Sequence, residues 1–160
     1  MAYYPDLSPY TYSCNWGDQT VLNIGWLDAA HTYPTGMVTG SFLDQLWAFC
    51  RQPAFRSGGY NGCEFCQKLW TPIYENREGE ELKLSSAEIR VVDQDGVVYA
   101  APDLIYHYVV AHAYLPPEVF IRAVMEMPLP GTGAHEVLKK EKLLGDDVVA
   151  EWIFRHKHQR

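Results

Sequence analysis

A chain of 160 residues, 48% hydrophobic and 14% aromatic, is long enough for one ordinary hydrophobic core, at a size where roughly 70% of the unfolded surface is buried. Its 13 Lys+Arg against 20 Asp+Glu give a formal charge of -7, which argues against general nucleic-acid binding and suits a protein partner with a basic surface. No run approaches the ~20 apolar residues of a membrane helix and no secretory leader is evident, so we expect a cytoplasmic protein with no membrane partner, in which four cysteines are poor disulfide candidates.

In chain order, residues 1–20 are rich in Tyr, Pro, Ser and Asp and read as an irregular arm. "TVLNIGWLDAA" (20–30) suggests a short strand and a turn, and 31–40 is a loop by Pro34, Gly36 and Gly40. Ser41 is placed to cap a helix with apolar positions Phe42, Leu43, Leu46, Trp47, Phe49 and Cys50, limited by Pro53. A Gly-rich turn then leads to Cys63 and Cys66, and "NREGEE" (76–81) reads as a charged loop. In 87–101, Ala87, Ile89 and Val91 alternate with Glu88 and Arg90 as in a half-buried strand, and Asp95-Gly96 turns it into a β-hairpin.

Pro102 is suited to the first position of a helix, with Asp103 in its first turn, running to about His112. Pro116 and Pro117 stop it and start another helix, with Phe120, Ala123, Val124 and Met127 on one face. Residues 128–134 read as a linker, and the tail to Arg160 has a helical pattern. The expected organisation is a single zinc-stabilised domain over 1–127, then a linker and helical appendage over 128–160.

The chemistry centres on "GYNGCEFCQKLW" (59–70). A C-x-x-C turn points two sulfurs at one ion, and Gly62 eases the fold before Cys63. His107 and His112 complete a C-x2-C-x40-H-x4-H series, within the spacing range of zinc-finger histidines. On an ideal helix five steps leave the two rings about 140° apart, so both face one ion only if the helix end tightens or unwinds. The ligand set expected is Cys63, Cys66, His107 and His112 around one structural Zn²⁺ per chain, with His31 as fourth ligand if His112 is not.

Competing readings exist for each residue. A redox pair would precede a long helix, but Pro72 and the charged stretch soon follow Cys66. Cysteines are often simply buried, His107 between Tyr106 and Tyr108 suits a core position, and His112 suits a helix C-terminus. An open, hydrolytic zinc would need a base; the nearest carboxylates in sequence are Glu64, otherwise solvated surface, and Asp103, otherwise a helix start. There is no H-E-x-x-H, G-x-S-x-G, phosphate loop or dinucleotide fingerprint, Cys14 and Cys50 lack a His at an informative spacing, and His156 and His158 lie in a basic tail.

The segments "IGWL" with His31, "YP" and Gly36 (24–36), Phe42 and Leu46, "CEFC", "AEIRV" (87–91) and "YAAPDLIYHYV" through "YLPPEVFIRAV" (99–124) together resemble a family of small uncharacterised bacterial proteins, over about residues 24–124. The resemblance implies the same Cys and His pairs and no known activity. A histidine often stands in that family where this chain has Asn61, and a glycine where it has Ala113. The fold expected is α+β: a zinc-knuckle domain with a β-hairpin or small antiparallel sheet packed on two or three helices. The functional expectation is a non-catalytic interaction or immunity-type protein, with a metal-dependent hydrolase as the alternative.

Overall fold

The alternating segment 87–92 and the returning segment 98–102 do form a hairpin. In the computed structural model, which describes residues 2–11 and 20–142, β7 (Ala87–Val92) pairs antiparallel with β8 (Val98–Pro102). Asp93 closes the turn by accepting from the amides of Asp95 and Val97, and Gly96 takes φ +85°. The hairpin is the centre of a mixed four-stranded sheet: β1 (Val21–Asn23) runs parallel to β8, and β2 (Phe55–Arg56) runs antiparallel to β7. The N-terminal arm follows β1, with bridges from Tyr4 to Trp26 and from Pro9 to Leu22, and Asp6 accepts from the Gly25 amide and the Tyr114 hydroxyl.

Strand β7 is not half-buried as its alternation suggests. Arg90 is 3% exposed, like the apolar residues around it. Its guanidinium pairs with Glu88 at 2.9 Å and lies over the rings of Tyr10 and Phe55, so a charged side chain is accommodated inside by an ion pair and two π faces.

Helix α1 (Gly40–Arg51) buries Phe42, Leu46, Trp47 and Phe49, each full burial being worth roughly 1.5–3 kcal/mol. Its cap is Thr39, whose Oγ1 accepts from the Phe42 amide, and Ser41 lies inside the helix. Helix α3 (Glu118–Glu126) buries Phe120, Ala123 and Val124, as its periodicity predicts, against α1 and β7. Helix α4 (Gly133–Lys142) begins within the stretch expected to be linker and places His135, buried, near the ring of Phe49. The rest of the tail, with His156 and His158, lies outside the described residues, as does Cys14.

Two expectations are corrected here. The charged stretch 76–81 is a second hairpin, β5 (Ile73–Arg77) with β6 (Glu80–Leu84), turning on Glu78 and Gly79, both at positive φ as a tight primed turn requires. Pro102 ends β8 rather than opening a helix: α2 (Ile105–His112) starts three residues later. Asp103 between them is buried and accepts from the Ser85 amide at 2.9 Å. Burial pushes its carboxyl up to about 6 against the backbone amides of Ser85, Ala87 and Leu104. The whole is a small α+β domain, its sheets packed against helices; no helix among the described residues is long and apolar enough to cross a membrane.

Candidate metal centre

Cys63 and Cys66 sit on a short ribbon formed by β3 (Gly62–Cys63) and β4 (Lys68–Leu69). Gly62 has φ +70°, and a Cβ there would lie 1.8 Å from the Lys68 carbonyl oxygen, so only glycine permits this approach of the two strands. The turn between them is closed by the Gln67 amide on the Glu64 carbonyl at 3.0 Å. The backbone amides of Cys66 and Phe65 act to lower the Cys63 pKa, against the effect of burial. These amides favour a thiolate, the form in which cysteine binds metal.

Helix α2 brings the histidines to the ribbon. Its end is wider than an α-helix: the amides of Ala113 and Tyr114 both donate to the carbonyl of Tyr108, five and six residues back. A wider last turn uses more residues per revolution and brings His112 round toward His107. Ala113 takes the left-handed conformation, φ 55°, directly after it. The two rings stand 5.0 Å apart, and the Tyr33 hydroxyl holds the His112 carbonyl at 3.0 Å.

Four side-chain atoms converge. His112 Nε2 lies 3.5 Å from Cys63 Sγ and 3.3 Å from Cys66 Sγ, His107 Nε2 lies 3.3 Å from Cys66 Sγ, and all four ligand atoms are within 4.8 Å of one another. Metal bonds of about 2.0–2.1 Å to nitrogen and 2.3 Å to sulfur at tetrahedral angles place neighbouring N and S about 3.5 Å apart. The cluster is therefore of Cys2His2 type and capable of coordinating a metal ion, in an arrangement that resembles a zinc knuckle.

Cys63 and His107 are buried, and Cys66 and His112 are partly covered. Phe65, inside the knuckle, packs on His112, Tyr33 and Tyr108 and shields the cluster on that side. Burial, and then the neighbouring Cys66, push the Cys63 thiol up to about 11 in the metal-free protein. Burial, and then His107, lower the pKa of His112, which favours the neutral ring with a free lone pair.

His31 is elsewhere: exposed, 2.7 Å from Asp28 and stacked flat on Tyr3 at 3.8 Å. Glu64 is less solvated than expected, its carboxylate accepting from the Ala29 amide at 2.7 Å. Cys50 is buried in the core, its sulfur 3.5 Å from the Asp103 carbonyl. Sequence reasoning missed Glu75, in β5, whose Oε1 is 2.7 Å from His107 Nδ1. Its signal was alternation alone, since Ile73 is buried and Tyr74 exposed in a strand of which only the last residues, from Asn76, fall in the stretch expected to be loop.

A family model described as a domain of unknown function (DUF7919) matches residues 2–125, and the chain belongs to that family. All four cluster residues and Glu75 fall within the matched span, which also takes in the N-terminal arm. No curated protein and no solved structure matches the chain.

Proposed function

We propose that Cys63, Cys66, His107 and His112 hold one structural Zn²⁺ per chain, and that the domain is a non-catalytic interaction module, of immunity type, acting in the bacterial cytoplasm on a protein with a basic surface. The observation that carries the zinc reading is the placing of His112 Nε2 within 3.5 Å of both sulfurs, where a tetrahedral ion needs its fourth ligand. A soft-and-imidazole donor set of two sulfurs and two nitrogens suits zinc. Zinc at such a site links the ribbon to the helix and adds folding free energy.

The hydrolase alternative requires His112 to stand off the metal and a water to replace it, and the His112 position supports the closed shell instead. The partner class is supported by the net charge of -7. Elemental analysis of the purified protein beside its Cys63→Ser variant tests the metal. One zinc per chain, lost in the variant, is expected. Folded protein that takes up no zinc would reject it. The partner is tested by affinity capture at low and high salt: salt-sensitive retention of a basic protein supports it, and retention of acidic or no specific proteins counts against it.

A further inference from the structure

We infer that Glu75 is a positioning residue of this metal centre, and that the β5–β6 hairpin is the strap that holds it on His107. The inference rests on the zinc reading. It extends the centre beyond the Cys and His pairs to a hairpin between them in sequence.

An ionised carboxylate can only accept a hydrogen bond, so at 2.7 Å from Glu75 Oε1 the His107 Nδ1 must carry the proton. In the neutral ring, the form that binds a metal, that fixes the tautomer and leaves Nε2 as the lone-pair atom. Nε2 is the atom that faces Cys66 Sγ at 3.3 Å. The two contacts are on opposite sides of one ring and agree on which nitrogen meets a metal. Carboxylate partners of this kind orient metal-binding imidazoles and raise their basicity. Both residues are well covered, with side-chain exposures of 7% for His107 and 22% for Glu75, so water competes poorly for the hydrogen bond.

The strap explains why Glu75 stays there. Two residues beyond it, Arg77 donates from Nε to Asp44 of α1 at 2.8 Å and from Nη2 to the Gly40 carbonyl at 3.2 Å, and reaches the Tyr106 hydroxyl beside His107. Across the turn, Glu80 accepts from the Trp47 indole at 2.7 Å. The hairpin is thus fastened to α1 next to the residue that reaches the cluster. The Arg77–Asp44 pair lies near the surface, where such pairs add little to global stability, so Asp44 can be removed without unfolding the domain.

The test measures zinc affinity by competition with a chromophoric chelator for wild type, Glu75→Ala, Glu75→Gln, Asp44→Ala and the Glu75→Ala/Asp44→Ala double variant. Thermal midpoints of the metal-free proteins are compared, and the His107 tautomer is read from long-range proton–nitrogen NMR of the metal-free wild type. Glu75→Ala is expected to weaken zinc binding roughly 10–100-fold. Glu75→Gln keeps an acceptor oxygen and should fall between it and wild type. Asp44→Ala should cause a smaller loss that vanishes in the Glu75→Ala background, with its metal-free midpoint unchanged, whereas both variants carrying Glu75→Ala should show a modestly lower metal-free midpoint because the buried Nδ1–H loses its acceptor. The Nδ1–H tautomer should dominate at His107. Glu75→Ala within twofold of wild type, or an Nε2–H tautomer, would overturn the inference while leaving the zinc reading standing. A wild type that binds no zinc would reject that reading itself, and the tautomer would then report on Glu75 alone.

Discussion

The amide of Ala113 donates to the carbonyl of Tyr108, five residues back, and this one wide turn is what lets His107 and His112 share a site. The geometry places an alanine in the left-handed region, which costs a non-glycine residue about 1–2 kcal/mol. Glycine pays part of that back through unfolded-chain entropy, about 0.5–1 kcal/mol. Ala113→Gly should therefore stabilise the protein by about 0.5–1 kcal/mol, or a few degrees in Tm at this size. Denaturant midpoints at a fixed zinc concentration check it. A neutral or lower midpoint would show that the helix end is not strained at this residue.

Gly62 is expected to be intolerant in the opposite sense. A Cβ at this position meets the Lys68 carbonyl oxygen at 1.8 Å, a backbone atom that cannot swing away. Gly62→Ala should destabilise by about 1–3 kcal/mol and weaken zinc uptake, because the ribbon that aims both sulfurs has to open. Melting and zinc titration of the variant measure the two effects, and normal values for both would mean that the ribbon is not what positions the sulfurs.

The metal-free protein should be most stable in a window between the His and Cys ranges. The His112 pKa is lowered in the folded state, chiefly by burial, so its contribution is present above the unfolded value of about 6.5 and is lost as pH falls. The Cys63 thiol is raised to about 11, so its contribution is present below the unfolded value of about 8.5 and is lost as pH rises toward 11. Zinc reverses the Cys63 side, since the bound form is the thiolate: loaded protein should hold its stability above pH 9 and lose the ion on acidification. Melting curves across pH with and without a strong chelator distinguish the two profiles. Identical alkaline limbs, with metal loss confirmed, would contradict the coupling.

His31 provides the internal control. It is exposed, paired with Asp28 and stacked on Tyr3, away from the cluster. His31→Ala should leave zinc affinity unchanged, whereas His112→Ala should both weaken binding and lower Tm. Activity-like behaviour, in which His112→Ala keeps zinc and stability, would move the balance to the hydrolase alternative.

Much of this centre is legible in the sequence because its carriers are local. A C-x-x-C after glycine, an Asp-Gly hairpin and a helix stopped by two prolines each declare themselves within a few residues. Glu75 does not, because its partner lies 32 residues away and the hairpin carrying it turns on Glu-Gly instead of the more telling Asn-Gly or Asp-Gly. Pro102 is ambiguous for a related reason. Its missing N–H suits a helix start and also a strand end, and the pairing of Glu88 with Pro102 decides in favour of the strand. Arg90 reads as solvent-facing by alternation, and only the tertiary placing of Tyr10, Phe55 and Glu88 around it makes burial possible.

The most direct measurement of the central claim is X-ray absorption at the zinc edge on the purified, zinc-loaded protein. The account predicts two sulfurs at about 2.3 Å and two nitrogens at about 2.0–2.1 Å, with imidazole scattering from both rings. That pattern should lose one nitrogen in the His112→Ala variant. A shell of two sulfurs and two lighter atoms with imidazole scattering from one ring only in the wild type would place water where His112 is assigned and contradict the closed, structural site.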